Sequence, residues 1–211
     1  MEGYNNKIGS DMKFNREQVF RRFRAMFGKL KQQQVEGLDE ILTFIESEVN
    51  QIPITLEEYG LNYINPNTIL NDMNYQAYLL ATIYHETAAT FKPIKEYGLG
   101  KGRKYGSPDK QTGKTYYGRG YVQLTWKENY VKMGLRINLP KLFLYPDLAL
   151  LPEVSYSISS LGMQEGLFTG KGLKSYKPTD FKSMRKIING TDKDELISNY
   201  ARRFVRILEE K

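Results

Sequence analysis

The chain has 211 residues, a length for one domain, with 40% hydrophobic and 26% charged residues, so it is expected to bury a sizeable core. It has no cysteine and one histidine, His85, which excludes disulfides, thiol nucleophiles, thiolate metal sites and any His-rich metal centre. The formal net charge is +7, and 16 tyrosines stand against 10 phenylalanines and 1 tryptophan. A basic surface points to a polyanionic partner, whether nucleic acid, lipid headgroups or an anionic cell-wall polymer. Tyrosine faces suit sugars as well as bases.

The N-terminal residues are polar and lack an apolar h-region, so no signal peptide is read, and residues 1–12 are expected to form a flexible tail. The longest uncharged stretches are 13 residues, too short to span a bilayer, so no stable membrane insertion is expected. Asn15 with Gln18 makes a capping-box pattern ahead of Val19, Phe20, Phe23, Met26 and Phe27 at helical spacing, and Gly28 ends that helix. A second helix carries Val35, Leu38, Ile41, Leu42, Ile45 and Val49 on one face. Residues 50–70 hold Pro53, Gly60, Asn65 and Pro66 and read as loop with at most a short helix.

The strongest helix is predicted from Asp72 to Thr90, with an apolar stripe of Ala77, Leu80, Ala81, Tyr84 and Ala88, and Pro93 stops it and folds the chain back. Residues 95–120 are glycine-rich, polar and basic, a pattern more often functional than spacer. Alternation around Val122 and Leu124 predicts a short strand or extended loop. Further helices are expected over 126–135, 152–168 and 180–188, and the last one is announced by a capping-box pattern of Asp192 with Glu195. The pattern as a whole predicts a mainly helical single domain, residues 13–211.

Two carboxylates draw attention. Glu86 falls near the end of the strongest helix, off the centre of its stripe, where burial against tyrosines would favour a protonated acid. From position alone, a solvated helix-end glutamate is the plainer reading. His85-Glu86 also resembles half of a zinc-protease motif, but that motif needs a second histidine where Ala89 stands. Glu96 follows ten residues on, and a chain reversal at Pro93 would permit the roughly 6.5–9.5 Å separation of an inverting glycosidase. In Tyr116–Thr125, an extended backbone would point Gln123 and Thr125 the same way, offering an amide and a hydroxyl to one cleft. A glycine-rich hairpin without function fits that segment equally well.

His85–Gly98 (HETAATFKPIKEYG), Tyr116–Thr125 (YYGRGYVQLT), Asn129-Tyr130, Tyr145–Leu150 (YPDLAL) and Ile187–Gly190 (IING) together resemble glycoside hydrolase family 19, in the branch of phage endolysins and bacterial chitinases. The resemblance implies a lysozyme-like, mainly α, bilobal domain with a small β or extended segment beside a cleft. It implies Glu86 as general acid, Glu96 as second carboxylate and Thr125 as the holder of the attacking water. It places Gln123, Asn129 and Asn189 on the sugar, with His85 and Tyr117 lining the same cleft. No metal or cofactor is implied, and no separate wall-binding module.

The expected activity is hydrolysis of β-1,4 bonds in peptidoglycan glycan strands, by a monomer that accumulates in a host bacterial cytoplasm and reaches the wall through holin-type pores. A chitinase is the alternative within enzymes, and a non-enzymatic wall-binding module the alternative outside them. A nucleic-acid partner is not expected, because no matching motif accompanies the charge. Tyr97, Tyr105, Tyr116 and Tyr121 are candidate sugar platforms. Residues 13–31 carry +6 and residues 92–114 carry +5, patches suited to anionic wall or outer-membrane polymers.

Overall fold

The computed structural model describes residues 11–209. Among them are seven α-helices, joined by short 3-10 turns and two two-stranded antiparallel ribbons. No helix among the described residues is long and apolar enough to cross a membrane. Most of the expected flexible tail lies outside the described residues, but Met12 is held at both ends: Asn50 accepts from its N–H at 2.8 Å and donates to its carbonyl at 2.9 Å.

Helix α1 (Arg16–Phe27) starts where the Asn15 side chain accepts from the Gln18 N–H, as its sequence predicts. Helix α2 (Gln32–Val49) buries Leu38, Ile41, Leu42 and Ile45. The next segment departs from expectation: Ile54–Leu56 (β1) and Leu61–Tyr63 (β2) form a hairpin around a 3-10 turn, Glu57–Tyr59. Strands of three residues leave too short an alternation to read beside Pro53 and Pro66.

Helix α3 (Met73–Glu86) lies at the centre. Every residue from Tyr75 to Ile83 is buried, so the helix is enclosed on all sides rather than amphipathic. Helix α7 (Asp194–Leu208) packs along it, and α1 packs on α7. Rings from four segments, Phe23, Phe27, Tyr84, Phe91, Tyr200 and Phe204, form one cluster with centroids 4.7–6.3 Å apart. Such pairs add about 0.5–1.5 kcal/mol each beyond the area they bury. They fix the C-terminal end of α3.

Helix α3 stops at Glu86, earlier than predicted, and Pro93 does not stop it. The helix ends in a left-handed cap at Ala88, where the Ala89 N–H bonds the Tyr84 carbonyl and the Ala88 N–H the His85 carbonyl, while the Thr87 hydroxyl donates to the Ile83 carbonyl and accepts from the Phe91 N–H. Ala88, Ala89 and Phe91 then take left-handed backbone (φ 49°, 65° and 56°), at a cost of roughly 1 kcal/mol each. Helix α2 holds this reversal. Gln34 donates to the Ala89 carbonyl at 2.8 Å, and a Cβ at Gly37 would lie 2.6 Å from the Phe91 oxygen. The chain returns as Ile94–Lys95 (β3), paired with Arg119–Gly120 (β4).

Helices α4 (Lys127–Arg136) and α5 (Pro152–Glu165) match two of the expected helices, with α5 ending at the left-handed Gly166. The third, expected over 180–188, is α-helical only as α6 (Phe181–Met184) and continues as a 3-10 turn, Arg185–Ile187. The capping box proposed for Asp192 and Glu195 does not form. Lys193 occupies the cap with left-handed backbone, and the Asp192 carbonyl is engaged by Arg185. Helix α5 is buried from Val154 to Gln164 despite four serines. Ser157 and Ser159 donate to carbonyls one turn back, which satisfies them within the helix.

One buried carboxylate ties α2, the 65–70 segment and α5 together. Glu48, 2% exposed, accepts from Tyr156, Ser160, Gln164 and Thr68 at 2.6–2.9 Å. Removing it leaves the buried Tyr156 and Ser160 hydroxyls without an acceptor, while Gln164 and Thr68 keep only their bonds to Ser160 and to Gln164. Glu48→Leu is therefore expected to lower unfolding free energy by about 3 kcal/mol or more, measured by urea denaturation at pH 7.

Candidate active site

Glu86 is the last residue of α3, and its side chain is 18% exposed. Its Oε1 accepts from the Arg185 guanidinium at 2.7 Å, while no described protein group donates to Oε2. Arg185 is 3% exposed and stands in the 3-10 turn that follows α6; its Nε donates to the Asp192 carbonyl at 2.8 Å. Its own carbonyl accepts from the Ile188 and Asn189 N–H groups. One arginine thus orients the carboxylate and anchors the loop that carries Asn189. Charge-assisted pairing of this kind is directional.

Sequence reading missed Arg185. It lies 99 residues from Glu86, in a segment (Phe181–Gly190, FKSMRKIING) where neighbouring Lys182 and Lys186 give it no local distinction.

Glu96 directly follows β3. Its N–H donates to the Gly118 carbonyl at 2.7 Å, and the Gly118 N–H returns a bond to Oε2 at 3.0 Å. The Tyr105 hydroxyl donates to Oε1 at 2.9 Å, and this bond raises the Tyr105 pKa above its ordinary value. Both carboxylate oxygens therefore accept from neutral donors, in a fixed orientation.

Gly118 also admits the side chains of Gln123 and Thr125. A Cβ there would lie 2.8 Å from Gln123 Oε1 and 3.3 Å from Thr125 Oγ1, so both side chains crowd the strand position that holds Glu96. Their convergence does not come from an extended backbone. Gln123 is left-handed (φ 56°), in a turn closed by paired bonds between Arg119 and Leu124. The turn achieves what the pleat was expected to do.

The Gln123 amide donates to the Ile94 and Gly120 carbonyls, and Thr125 Oγ1 donates to the Gln123 carbonyl at 2.8 Å. Asn129, in the first turn of α4, donates to the Thr125 carbonyl at 2.8 Å. Gln123, Thr125 and Asn129 line a recess of about 160 Å³ together with Ile188, the neighbour of Asn189. Asn189 itself is exposed.

The tyrosines divide. Tyr116, Tyr117 and Tyr121 are buried and offer no sugar face. The Arg119 guanidinium lies 3.6 Å from the Tyr117 ring centroid, so Tyr117 builds the ribbon rather than lining a cleft. Tyr97 is fully exposed. Tyr105 meets Trp126 edge-on at 5.0 Å, and both line a groove of about 270 Å³ with Lys104, Lys127 and Glu128. Trp126, 46% exposed, was not singled out from the sequence, although it is the one tryptophan and adjoins Thr125. Among the described residues no group of three or more His, Asp or Glu is placed to hold a metal ion.

No family model and no curated protein matches the sequence. Solved structures do match. Chitinase C from Streptomyces griseus aligns over 90% of this chain and 75% of its own, with a TM-score of 0.56 and 21% identity. A bacterial family 19 chitinase, described as differing from plant enzymes, aligns over 91% of this chain and 95% of its own, with a TM-score of 0.56 and 19% identity. The chain has the mainly α fold of family 19 chitinases.

His85 stands beside Glu86, with Arg185, Asp192 and Lys193 also acting on it, and burial lowers its pKa from 6.5. The folded state therefore binds fewer protons than the unfolded state, and stability falls as pH drops below that ordinary value. His85→Gln removes this contribution. Between pH 7.5 and 5.5 the variant is expected to lose less melting temperature than the parent, by about 1–3 °C in scanning calorimetry.

Proposed function

We propose that this protein is a glycoside hydrolase that cleaves β-1,4 linkages in the peptidoglycan glycan strand by single displacement with inversion. The observation that carries this reading is the unequal anchoring of two carboxylates. Glu86 is fixed by one oxygen and keeps the other free, whereas both oxygens of Glu96 are held by neutral donors beside Thr125.

In this reading Glu86 is the general acid, and a proton passes from its Oε2, the oxygen that Arg185 leaves open, to the leaving glycosidic oxygen. Glu96 takes a proton from a water that the Thr125 hydroxyl positions, and that water attacks the anomeric carbon from the opposite face. The Thr125 hydroxyl hydrogen already points to the Gln123 carbonyl, which leaves its lone pairs to receive the water. Arg185 is a positioning residue for Glu86 and supports the charge that remains after proton transfer. Trp126 and Tyr105 supply aromatic surface beside Glu96, and Asn189, exposed on the loop that Arg185 anchors, offers an amide.

Exposed Arg21, Arg24, Lys29 and Lys31 on and after α1, and Arg202, Arg203 and Arg206 on α7, support contact with an anionic wall or outer-membrane polymer. They fit an endolysin-type role, in which a monomer leaves the host cytoplasm through holin-type pores. The named activity of the matching solved structures favours chitin as a second substrate reading.

Both readings share one test. Purified peptidoglycan and soluble chitin oligomers are digested in parallel with the parent protein and with Glu86→Gln, whose amide oxygen continues to accept from Arg185. Reducing ends and muropeptides from peptidoglycan are expected with the parent, and a loss of about 100-fold or more with the variant. Cleavage of chitin alone moves the assignment to a chitinase, and full activity of the folded variant removes Glu86 from the chemistry.

A further inference from the structure

A groove of about 560 Å³ is lined by none of the residues assigned above to acid, base or water. It runs between the 3-10 turn of the β1–β2 hairpin and the segment from Pro140 to Leu151. Its lining combines apolar Leu148 and Leu151, aromatic Tyr59 and Tyr145, and charged Glu58, Lys141 and Asp147. Tyr145 is 58% exposed, a large ring that the fold leaves in water. The Lys141 ammonium lies 5.4 Å from the Tyr59 ring centroid, which occupies one face of that ring and leaves Tyr145 as the open platform.

The charges of this groove are nearly balanced. Asp147 accepts from Arg119 at 2.7 Å and lies 3.3 Å from the Lys95 ammonium, which holds its carboxyl below the ordinary range, and Glu58 faces the same space as Lys141. A polyanion gains little here and a purely apolar ligand would bury these charges. The ligand that fits is neutral, has one apolar ring face for tyrosine, and carries hydroxyl and amide groups for carboxylates and an ammonium. A pyranose with an N-acetyl group has that chemistry.

We propose that this groove is a second glycan site, which takes N-acetylated amino-sugar units of the polymer outside the cleavage site and uses Tyr145 as its stacking platform. The choice of ligand class rests on the glycosidase reading. Asp147 links the two regions, because the residues it pairs with, Lys95 and Arg119, flank Glu96 and Gly118 in the ribbon. A strand seated in the groove is thereby held on the same rigid ribbon that carries the second acid.

The test uses Glu86→Gln protein, labelled with 15N and titrated with tri-N-acetylchitotriose, so that binding is read without turnover. Amide shifts are expected in two places, around Gln123–Asn129 and around Glu58–Gly60 with Leu144–Leu151. Adding Tyr145→Ala, an exposed position, should weaken the second set by about tenfold and leave the first unchanged. Shifts confined to the first region, or a second set indifferent to Tyr145→Ala, overturn the groove assignment and leave the glycosidase reading intact. Shifts in the groove with no glycan cleaved by the parent protein uphold the groove and overturn the glycosidase reading instead.

Discussion

Between Thr87 and Phe91 the backbone leaves α3, passes through three left-handed residues and heads back toward the strand that carries Glu96. No glycine occupies this turn, so its strain must be offset from outside. The offset comes from the Thr87 hydroxyl, which bridges Ile83 and Phe91, from Gln34 on α2, and from the aromatic cluster around Phe91 and Tyr84. Gly37 lets α2 approach closely enough to make that clamp. The roughly 3 kcal/mol of backbone cost and the several ring contacts are of the same order, so the turn persists only in the packed protein.

The second acid depends on a different set of supports. Gly118 exchanges backbone bonds with Glu96, and the 118–125 turn that crowds it is pinned to α5, where Ser155 accepts from the Tyr121 N–H at 2.7 Å. Ser155 sits on the helix whose Tyr156, Ser160 and Gln164 close on Glu48. Polar groups in the core therefore do the positioning that an all-apolar core would leave unspecified. The proposed acid rests on an aromatic cluster and the proposed base on this polar framework, which makes the two separable by mutation.

Local signals in the sequence were legible wherever a short-range rule governed. Asn15 caps α1, the apolar spacing marks α2, and α4 and α5 fall where periodicity puts them. Signals that depend on distant partners were not. Pro93 was a visible breaker, yet the helix ends five residues earlier in a left-handed cap at Ala88 that packing from α2 and the Thr87–Phe91 bond support. Asp192 had the form of a cap, but Arg185 takes its carbonyl and Lys193 becomes the cap. Tyr116 and Tyr121 had the composition of sugar platforms and are core, since alternation in a tight turn does not decide which side is wet. Glu86, Glu96 and Thr125 were nominated by motif, whereas Arg185 emerges only when a segment 99 residues away meets Glu86.

The central claim is that Glu96 activates a water on the face of the sugar opposite Glu86. Stereochemistry reports this directly. A soluble β-linked N-acetylglucosamine hexamer is cleaved in the NMR tube, and the anomeric protons of the new reducing ends are followed before mutarotation equilibrates them. The account predicts that the α-anomer appears first and relaxes toward the β-anomer. Initial accumulation of the β-anomer would mean retention, and would contradict a water-activating role for Glu96.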